Sequence, residues 1–180
     1  GSSRHRKYRG ILIQELRKCL LGCQPDVLLI HEHHVSEKHI ANYGTFLPGQ
    51  WEMFWSTTFG LNGIQGSVCI TIKDVWKPFI KAKHVLVLGR APCVIVRMYD
   101  QAVGILNFYA ANSASTRVVF WDKQCNGLPN ADQCCIAIDF NMIEDPNNRV
   151  GGTQDTIHGR ELGSWEHLCM SLRIFYVWHS

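Results

Sequence analysis

The sequence predicts an α/β fold in which mixed sheets and helices form the layers of one domain. Short apolar runs with the patterning of strands outnumber segments with helical spacing, and the two kinds are interleaved along the chain. With 180 residues, 46% of them hydrophobic, the chain is long enough to bury a substantial core. No internal repeat, low-complexity segment or linker divides it. We therefore expect residues 1–180 to form a single domain.

Three segments have the 3.6-residue spacing of apolar side chains that is typical of helices. The first covers residues 8–21. The second begins at Ser113 or Ser115, either of which is a suitable N-cap, and runs through Gln124. The third follows Gly159 and carries its apolar residues on one side: Leu162, Trp165, Leu168, Cys169 and Leu172.

The remaining apolar segments have the patterning of strands, and each is bounded by turn residues. In segment 68–72 apolar residues alternate with smaller ones, which predicts a half-buried strand. Asp100 and Gln101 have the composition of a hairpin turn, so the strands on either side should be antiparallel neighbours. Part of the long connection over residues 35–66 should also pair as strands. The predicted strands cover residues 26–31, 68–72, 84–88, 93–99, 103–109, 135–138 and 174–178.

Composition excludes several classes of protein. No uninterrupted apolar run approaches the ~20 residues that a membrane span requires, and no secretion signal is visible, so we expect no membrane partner. The net charge of +3 is only a weak tilt toward anionic partners. The eight cysteines include no Cys-x-x-Cys pair, which argues against a zinc site or a disulfide framework. Within apolar stretches, Cys69, Cys93 and Cys135 are expected to act as small hydrophobic residues in a reducing, intracellular compartment.

Three of the predicted strands end in side chains suited to catalysis. One apolar run stops at Glu32, a second at Tyr109 with Asn112 close behind, and a third at Asp139 and Asn141. Open α/β sheets bind their ligands at the carboxyl ends of strands. Two carboxylates and an amide gathered there are able to hold a divalent metal and a water against a phosphate. Taken singly, each strand end is better explained as an ordinary polar exit or turn, and only the ordered set is distinctive.

Two motifs resemble metal-binding patterns but lack essential positions. In the His-Glu-His-His run at residues 31–34, a zincin motif would need a histidine where Val35 stands. Successive strand residues also face opposite sides, so these four neighbours are not expected to bind one metal, and the histidines are expected at the surface. A calcium loop starting at Asp139 would need a glycine where Glu144 stands and a glutamate where Val150 stands.

Three motifs, in this order, resemble those of the endonuclease/exonuclease/phosphatase superfamily. The segment Pro25-Asp-Val-Leu-Leu-Ile-His-Glu32 is similar to its "PD(V/I)LLLQE" strand, Asn107-Phe-Tyr-Ala-Ala-Asn112 to its "YxPN" strand, and Ile138-Asp-Phe-Asn141 to its "GDFN" loop. The residues that follow, Glu-His-His, Glu-Asp-Pro and Arg149-Val-Gly-Gly152, are most similar to the apurinic-type endonuclease domains of plant non-LTR (LINE-type) retrotransposons. The resemblance covers nearly the entire chain.

This resemblance implies Mg²⁺-dependent phosphodiester hydrolysis by a DNA-nicking endonuclease. In the family the glutamate ligates Mg²⁺ (or Mn²⁺), and this role falls to Glu32. The tyrosine and asparagine of the second motif contact the phosphate, which assigns Tyr109 and Asn112. The acid and amide of the third motif orient the attacking water and stabilise the transition state, which assigns Asp139 and Asn141. The implied partners are the DNA backbone and, in the full-length parent, a reverse transcriptase, and a functional retroelement product would act in the nucleus.

The resemblance also implies a two-sheet α/β sandwich that is incomplete at both ends. The family's domain begins with a strand bearing Asn-x-x-Gly and ends with Ser-Asp-His, and neither motif stands at the corresponding end of this sequence. His31 replaces a glutamine, Ile138 a glycine and Ala111 a proline. We therefore expect residues 1–180 to be a partial domain that nicks supercoiled plasmid barely above background. Two alternatives stay open: a phosphodiesterase acting on a phospholipid or inositol phosphate, and a non-catalytic nucleic-acid-binding remnant.

Overall fold

A computed structural model describes residues 14, 18, 21–32, 50–60, 63–141 and 159–172. Of the predicted helix over residues 8–21, residues 14, 18 and 21 are described, and all three are helical. The predicted strand over residues 174–178 and the predicted loop over residues 142–158 lie outside the described residues. The described elements are β1 (Val27–His31), β2 (Trp51–Gly60), β3 (Gly63–Lys73), a 3₁₀ helix (Asp74–Phe79), β4 (Ile80–Val87), β5 (Ala91–Met98), β6 (Gln101–Tyr109), α1 (Ala114–Gly127), β7 (Gln133–Asp139) and α2 (Gly159–Leu172).

The strands form two sheets. The first has the order β1-β3-β2 with antiparallel pairing throughout, so part of the connection over residues 35–66 is indeed a strand. The second has the order β4-β5-β6-β7, in which β6 and β7 are parallel and the other pairs are antiparallel. Helix α1 connects β6 to β7, since parallel neighbours need a crossover. The predicted two-sheet α/β sandwich with a mixed sheet is confirmed.

The two sheets pack face to face through β-branched side chains. Alternate residues of each strand point to the same face, and these residues close the space between the sheets. The buried members of this layer are Ile70, Ile72, Val94, Val96 and Ile105.

The other face of the second sheet is covered by α1 and α2. Large aromatic side chains dominate this layer, and each buries a large apolar area. The described chain is therefore layered as sheet, sheet and helices. The largest buried members of the helical layer are Phe108, Phe120, Trp121, Trp165 and Leu168.

Segment 68–72 is buried on both faces, so its prediction as a half-buried strand is wrong. It lies in β3, the central strand of its sheet, and Ile70 and Ile72 pack against the second sheet. On the opposite face Cys69 and Thr71 are also fully buried, with their side-chain sulfur and oxygen 3.4 Å apart. Cysteine is readily buried as a small hydrophobic residue, and threonine is tolerated there when its hydroxyl has a hydrogen-bond partner. The alternation of larger and smaller residues in this segment therefore did not mark a face turned toward solvent.

Three local predictions also need correction. The hairpin turn is Tyr99-Asp100, one residue earlier than predicted, and Tyr99 has φ 55. Ser113 does occupy the N-cap position of α1, but its hydroxyl lies 2.6 Å from the Thr116 hydroxyl and does not cap the helix backbone. Cys135 is exposed because it lies near the start of β7, the last strand in the order of its sheet, whereas Cys69 and Cys93 are buried as predicted.

Among the described helices, none has the length and apolar character needed to cross a bilayer.

Gly89, in the turn between β4 and β5, lies close to Thr58 of β2 and Gly66 of β3 in the other sheet. It has φ 71, and a Cβ there would lie 2.0 Å from Thr58 Oγ1, 2.8 Å from Thr58 N and 2.9 Å from Gly66 O. Gly89→Ala is therefore expected to lower the free energy of unfolding by about 2–4 kcal/mol, through left-handed strain and overpacking. Urea denaturation measures this change.

The matched control is Gly163→Ala in α2. No atom lies within 4 Å of the added Cβ, and the position is helical. This variant is expected to raise the free energy of unfolding by about 0.5–1 kcal/mol, because alanine loses less backbone entropy. Equal urea midpoints for the two variants would contradict the predicted crowding at Gly89.

Candidate functional site

The ends of β1 and β6 meet at one edge of the sandwich. Tyr109 is the last residue of β6, and its hydroxyl donates a hydrogen bond of 2.5 Å to Glu32 Oε1 just after β1. The two residues are 77 positions apart in the chain. This hydrogen bond joins the two sheets and brings two of the predicted site residues together.

The end of β7 lies beside Tyr109 because β6 and β7 are parallel. Tyr109 and Asp139 are register partners, and the Ala110 amide donates to the Asp139 carbonyl at 2.9 Å. The Asn141 amide N–H donates to Asp139 Oδ1 at 3.2 Å, and its side-chain amide donates to the Ala110 carbonyl at 2.8 Å. Asp139 and Asn141 thus lie at the same edge as Glu32 and Tyr109.

Asn112 reaches the site through its backbone. Its side chain is exposed, and its carbonyl accepts a hydrogen bond of 2.7 Å from Arg117 Nη1. The same nitrogen donates to the Asn141 carbonyl at 2.9 Å, so the loops that follow β6 and β7 are neighbours. The structure thus places all five predicted residues at one edge. The roles that the resemblance assigns to them stay predictions.

Two site residues have left-handed backbones. Glu32 has φ 49 and Asn141 has φ 47. Asparagine adopts this conformation readily, whereas for glutamate it costs about 1–2 kcal/mol. Both side chains are exposed at the edge of the sheets. Strain of this kind persists where surrounding contacts hold the backbone, and it clusters at binding and catalytic sites.

The Tyr109 hydroxyl is held in its protonated form. Burial raises the pKa of Tyr109, and the hydrogen bond to Glu32 and the charge of that carboxylate raise it further. The Asn141 side chain and the Arg90 guanidinium act in the opposite direction and lower the pKa. Arg90 lies over the tyrosine ring, 5.2 Å from its centroid, and donates to the Tyr109 carbonyl at 3.3 Å. Tyr109 is therefore a hydrogen-bond donor at neutral pH.

His31 is half-buried, so the prediction that it lies at the surface is wrong. Its ring centroid lies 6.3 Å from that of Tyr109, and Asn107, from β6, donates to the neighbouring Ile30 and Cys69 carbonyls at 3.2 and 3.0 Å. His31 Nε2 and Asn107 Oδ1 are both buried and lack a hydrogen bond of good geometry. Burial lowers the pKa of His31, and the Asp139 carboxylate and the Asn107 side chain oppose this shift. The histidines at positions 33 and 34 lie outside the described residues.

The lowered pKa of His31 predicts a loss of stability in acid. The unfolded chain protonates His31 near its ordinary pKa of 6.5, whereas the folded protein binds that proton only at lower pH. The free energy of unfolding should therefore fall as pH drops below about 6.5, until the folded pKa is passed. The comparison is urea unfolding of wild type and His31→Gln from about pH 7.5 to 5. As the pH falls, the free energy of unfolding of wild type should decrease more than that of His31→Gln. A difference between the two proteins that stays constant with pH would contradict the lowered pKa of His31.

Sequence reasoning missed the residues that support the site. Arg117 shares the apolar stripe of α1 with Phe120, Trp121 and Gln124, at helical spacing. A charged residue on such a stripe is a signal of a buried ion pair. Glu161 occupies the equivalent position on the stripe of α2.

Within the described residues, no group of three or more His, Cys, Asp or Glu side chains lies close enough to bind a metal by itself. A cation at this edge would therefore take few ligands from this part of the protein.

The arrangement of sheets, helices and strand ends matches that of solved structures. TDP2 from Caenorhabditis elegans is similar over 79% of this chain and 45% of the matched chain, with 13% identity and a TM-score of 0.52. Its selenomethionine form has 12% identity, a TM-score of 0.53 and coverage of 79% and 44%. The chain has the endonuclease/exonuclease/phosphatase fold.

A truncated form of the same protein matches with 13% identity and a TM-score of 0.51, over 79% of this chain and 59% of that one. The chain therefore spans about half the length of the endonuclease/exonuclease/phosphatase structures it matches. No protein-family model and no curated protein sequence matches it. The narrower resemblance to retrotransposon endonucleases stays a prediction.

Proposed function

We propose that this site hydrolyses phosphodiester bonds, with DNA as its substrate and Mg²⁺ (or Mn²⁺) as its cofactor. The observation that carries the proposal is the hydrogen bond between Tyr109 and Glu32, which joins the ends of β1 and β6 beside Asp139 and Asn141. An acid, a protonated phenol and an amide from three strand ends are the groups that phosphate chemistry uses. The fold that the chain shares with TDP2 is compatible with this proposal.

The donor set of the site fits a hard divalent cation. Glu32 is exposed, and its Oε1 atom accepts a hydrogen bond from the Tyr109 hydroxyl. Carboxylate oxygens suit Mg²⁺ and Mn²⁺, and Mg²⁺ is often bound through one or two carboxylates, with waters and substrate phosphates as its other ligands. Glu32 would hold the ion. When bound, the cation would neutralise charge on the phosphate and polarise it.

The protein's own groups supply the rest of the chemistry. Tyr109, kept protonated by burial and by Glu32, orients the Glu32 carboxylate by donating to it. Asp139 accepts a hydrogen bond from the attacking water and orients it toward phosphorus, with its own position fixed by the Asn141 amide. The side-chain amides of Asn112 and Asn141 donate to phosphate oxygens as negative charge develops on them.

DNA is the favoured polymer because the motif residues resemble endonucleases of LINE-type retrotransposons, and the net charge of +3 agrees with an anionic partner. This origin would place a reverse transcriptase in the same parent polypeptide and the site of action in the nucleus. We propose both the reverse transcriptase in the parent polypeptide and the nuclear site of action.

Metal binding by Glu32→Gln tests the proposal. Titration calorimetry with Mn²⁺ and Mg²⁺ should show at least about tenfold weaker affinity than wild type, because the hard carboxylate ligand is lost. Glu166→Gln, an exposed glutamate on α2, is the matched control and should bind as wild type does. Plasmid nicking by wild type should require Mg²⁺ and stop with a chelator. Equal metal affinity in both variants, or a complete lack of Mg²⁺-dependent nicking by wild type, would contradict the proposal.

A further inference from the structure

A buried ion pair connects the two helices beneath the site. The Arg117 side chain in α1 is 8% exposed and that of Glu161 in α2 is 1% exposed. Arg117 Nε donates to Glu161 Oε1, and Nη2 donates to Oε2 at 3.2 Å, which is the two-pronged geometry that guanidinium and carboxylate groups favour. Glu161 lies in the first turn of α2, where the helix dipole also stabilises a carboxylate.

The third nitrogen of Arg117 points at the backbone of the site. Nη1 donates to the carbonyls of Ala111 at 3.0 Å, Asn112 at 2.7 Å and Asn141 at 2.9 Å. The first two carbonyls belong to the loop after β6 and the last to the loop after β7. One guanidinium therefore holds both loops, and Glu161 fixes the direction in which that guanidinium points.

We propose that Arg117, oriented by Glu161, is the positioning residue that sets the placement of Asn112 and Asn141 relative to Asp139. The effect on rate rests on the proposed function, whereas the effect on the loops does not. Arg117 touches no substrate group, because its donors are used by Glu161 and by backbone carbonyls. Its contribution is geometric: a misplacement of about 1 Å at a reacting group costs about 10²-fold in rate.

The geometry requires arginine and not merely a positive charge. A lysine ammonium has three donors on one atom and cannot reach a carboxylate in α2 and carbonyls in two loops together. Arg117→Lys keeps the charge opposite Glu161 and so limits the loss of stability, yet it should release the loops. This separates positioning from charge balance.

The test compares three variants by three measurements. Arg117→Lys is the conservative variant, and the double variant Arg117→Met with Glu161→Met removes both charges so that neither is left buried and unpaired. Arg97→Gln is the control, because Arg97 is exposed and bonds only its own hairpin at the opposite end of β5. The measurements are single-turnover plasmid nicking with Mg²⁺ and amide hydrogen exchange across the folded protein, together with the calorimetric affinity for Mn²⁺.

We expect both Arg117 variants to lose about 10²-fold in rate, which brings nicking down to the background level, with Mn²⁺ affinity unchanged. Exchange should be faster at residues 110–112 and 139–141 but not in β3 or β5. Arg97→Gln should match wild type in all three. A folded Arg117 variant with wild-type exchange in both loops overturns the inference, whatever its nicking rate. A wild type that does not nick contradicts the proposed function alone, and faster exchange confined to the two loops then still supports the positioning role.

Discussion

Replacing Asp139 with alanine is expected to lower the single-turnover rate of plasmid nicking to the level seen without protein, because a general base contributes roughly 10²–10⁴-fold to the rate. Asp139 ends β7, its Oδ1 atom accepts the Asn141 amide, and its register partner is Tyr109. Glu32 is the other described carboxylate beside Tyr109, and it is assigned to the cation. Excess protein over plasmid allows even slow nicking to accumulate, so a low wild-type rate is measurable.

Asp100→Ala is the control for this prediction. Asp100 is exposed in the hairpin turn between β5 and β6, at the end of the sheet opposite the site. The substitution removes the same charge from the protein and should leave the nicking rate unchanged. If Asp139→Ala nicks as fast as Asp100→Ala while both proteins are folded, Asp139 is not the group that orients the water.

Trp165→Ala is expected to cost about 3–5 kcal/mol of the free energy of unfolding, the range for truncating a buried tryptophan. The Trp165 ring centroid lies 4.8 Å from that of Phe140 and 5.1 Å from that of Trp121, and the residue is only 2% exposed. The substitution would leave a cavity between α1, α2 and Phe140, the residue between Asp139 and Asn141. Denaturant unfolding followed by circular dichroism measures the loss.

Met170→Ala on the same helix is the matched control, because Met170 is 72% exposed. It should change the free energy of unfolding by less than about 0.5 kcal/mol. Because the Phe140 ring packs against that of Trp165, the tryptophan variant should also exchange amide hydrogens faster at residues 140 and 141 before it unfolds globally. Protection at these two residues equal to wild type would show that Phe140 does not depend on this contact.

The sequence by itself determined the strand ends that carry the site. An apolar run that stops at a polar residue is a local signal that predicts both a strand and the position where the strand ends. This signal correctly predicted Glu32, Tyr109 and Asp139 at strand ends. The sequence also predicted a mixed sheet, and the structure shows that its parallel pair is β6 and β7, joined through α1. The two-sheet sandwich came from the ordered motifs rather than from periodicity.

Only the tertiary structure decided which of these groups are buried and what holds them. His31 was expected at the surface, and it is half-buried where the end of β1 meets β6, with its ring beside that of Tyr109. Arg117 and Glu161 are separated by 44 residues, and the sequence of neither helix predicts that the two helices pack against each other. Burial, pKa and hydrogen-bond partners depend on what packs against a side chain from a distant segment. Local patterning specifies which face of an element is apolar, whereas the partner of that face is set by how the layers assemble.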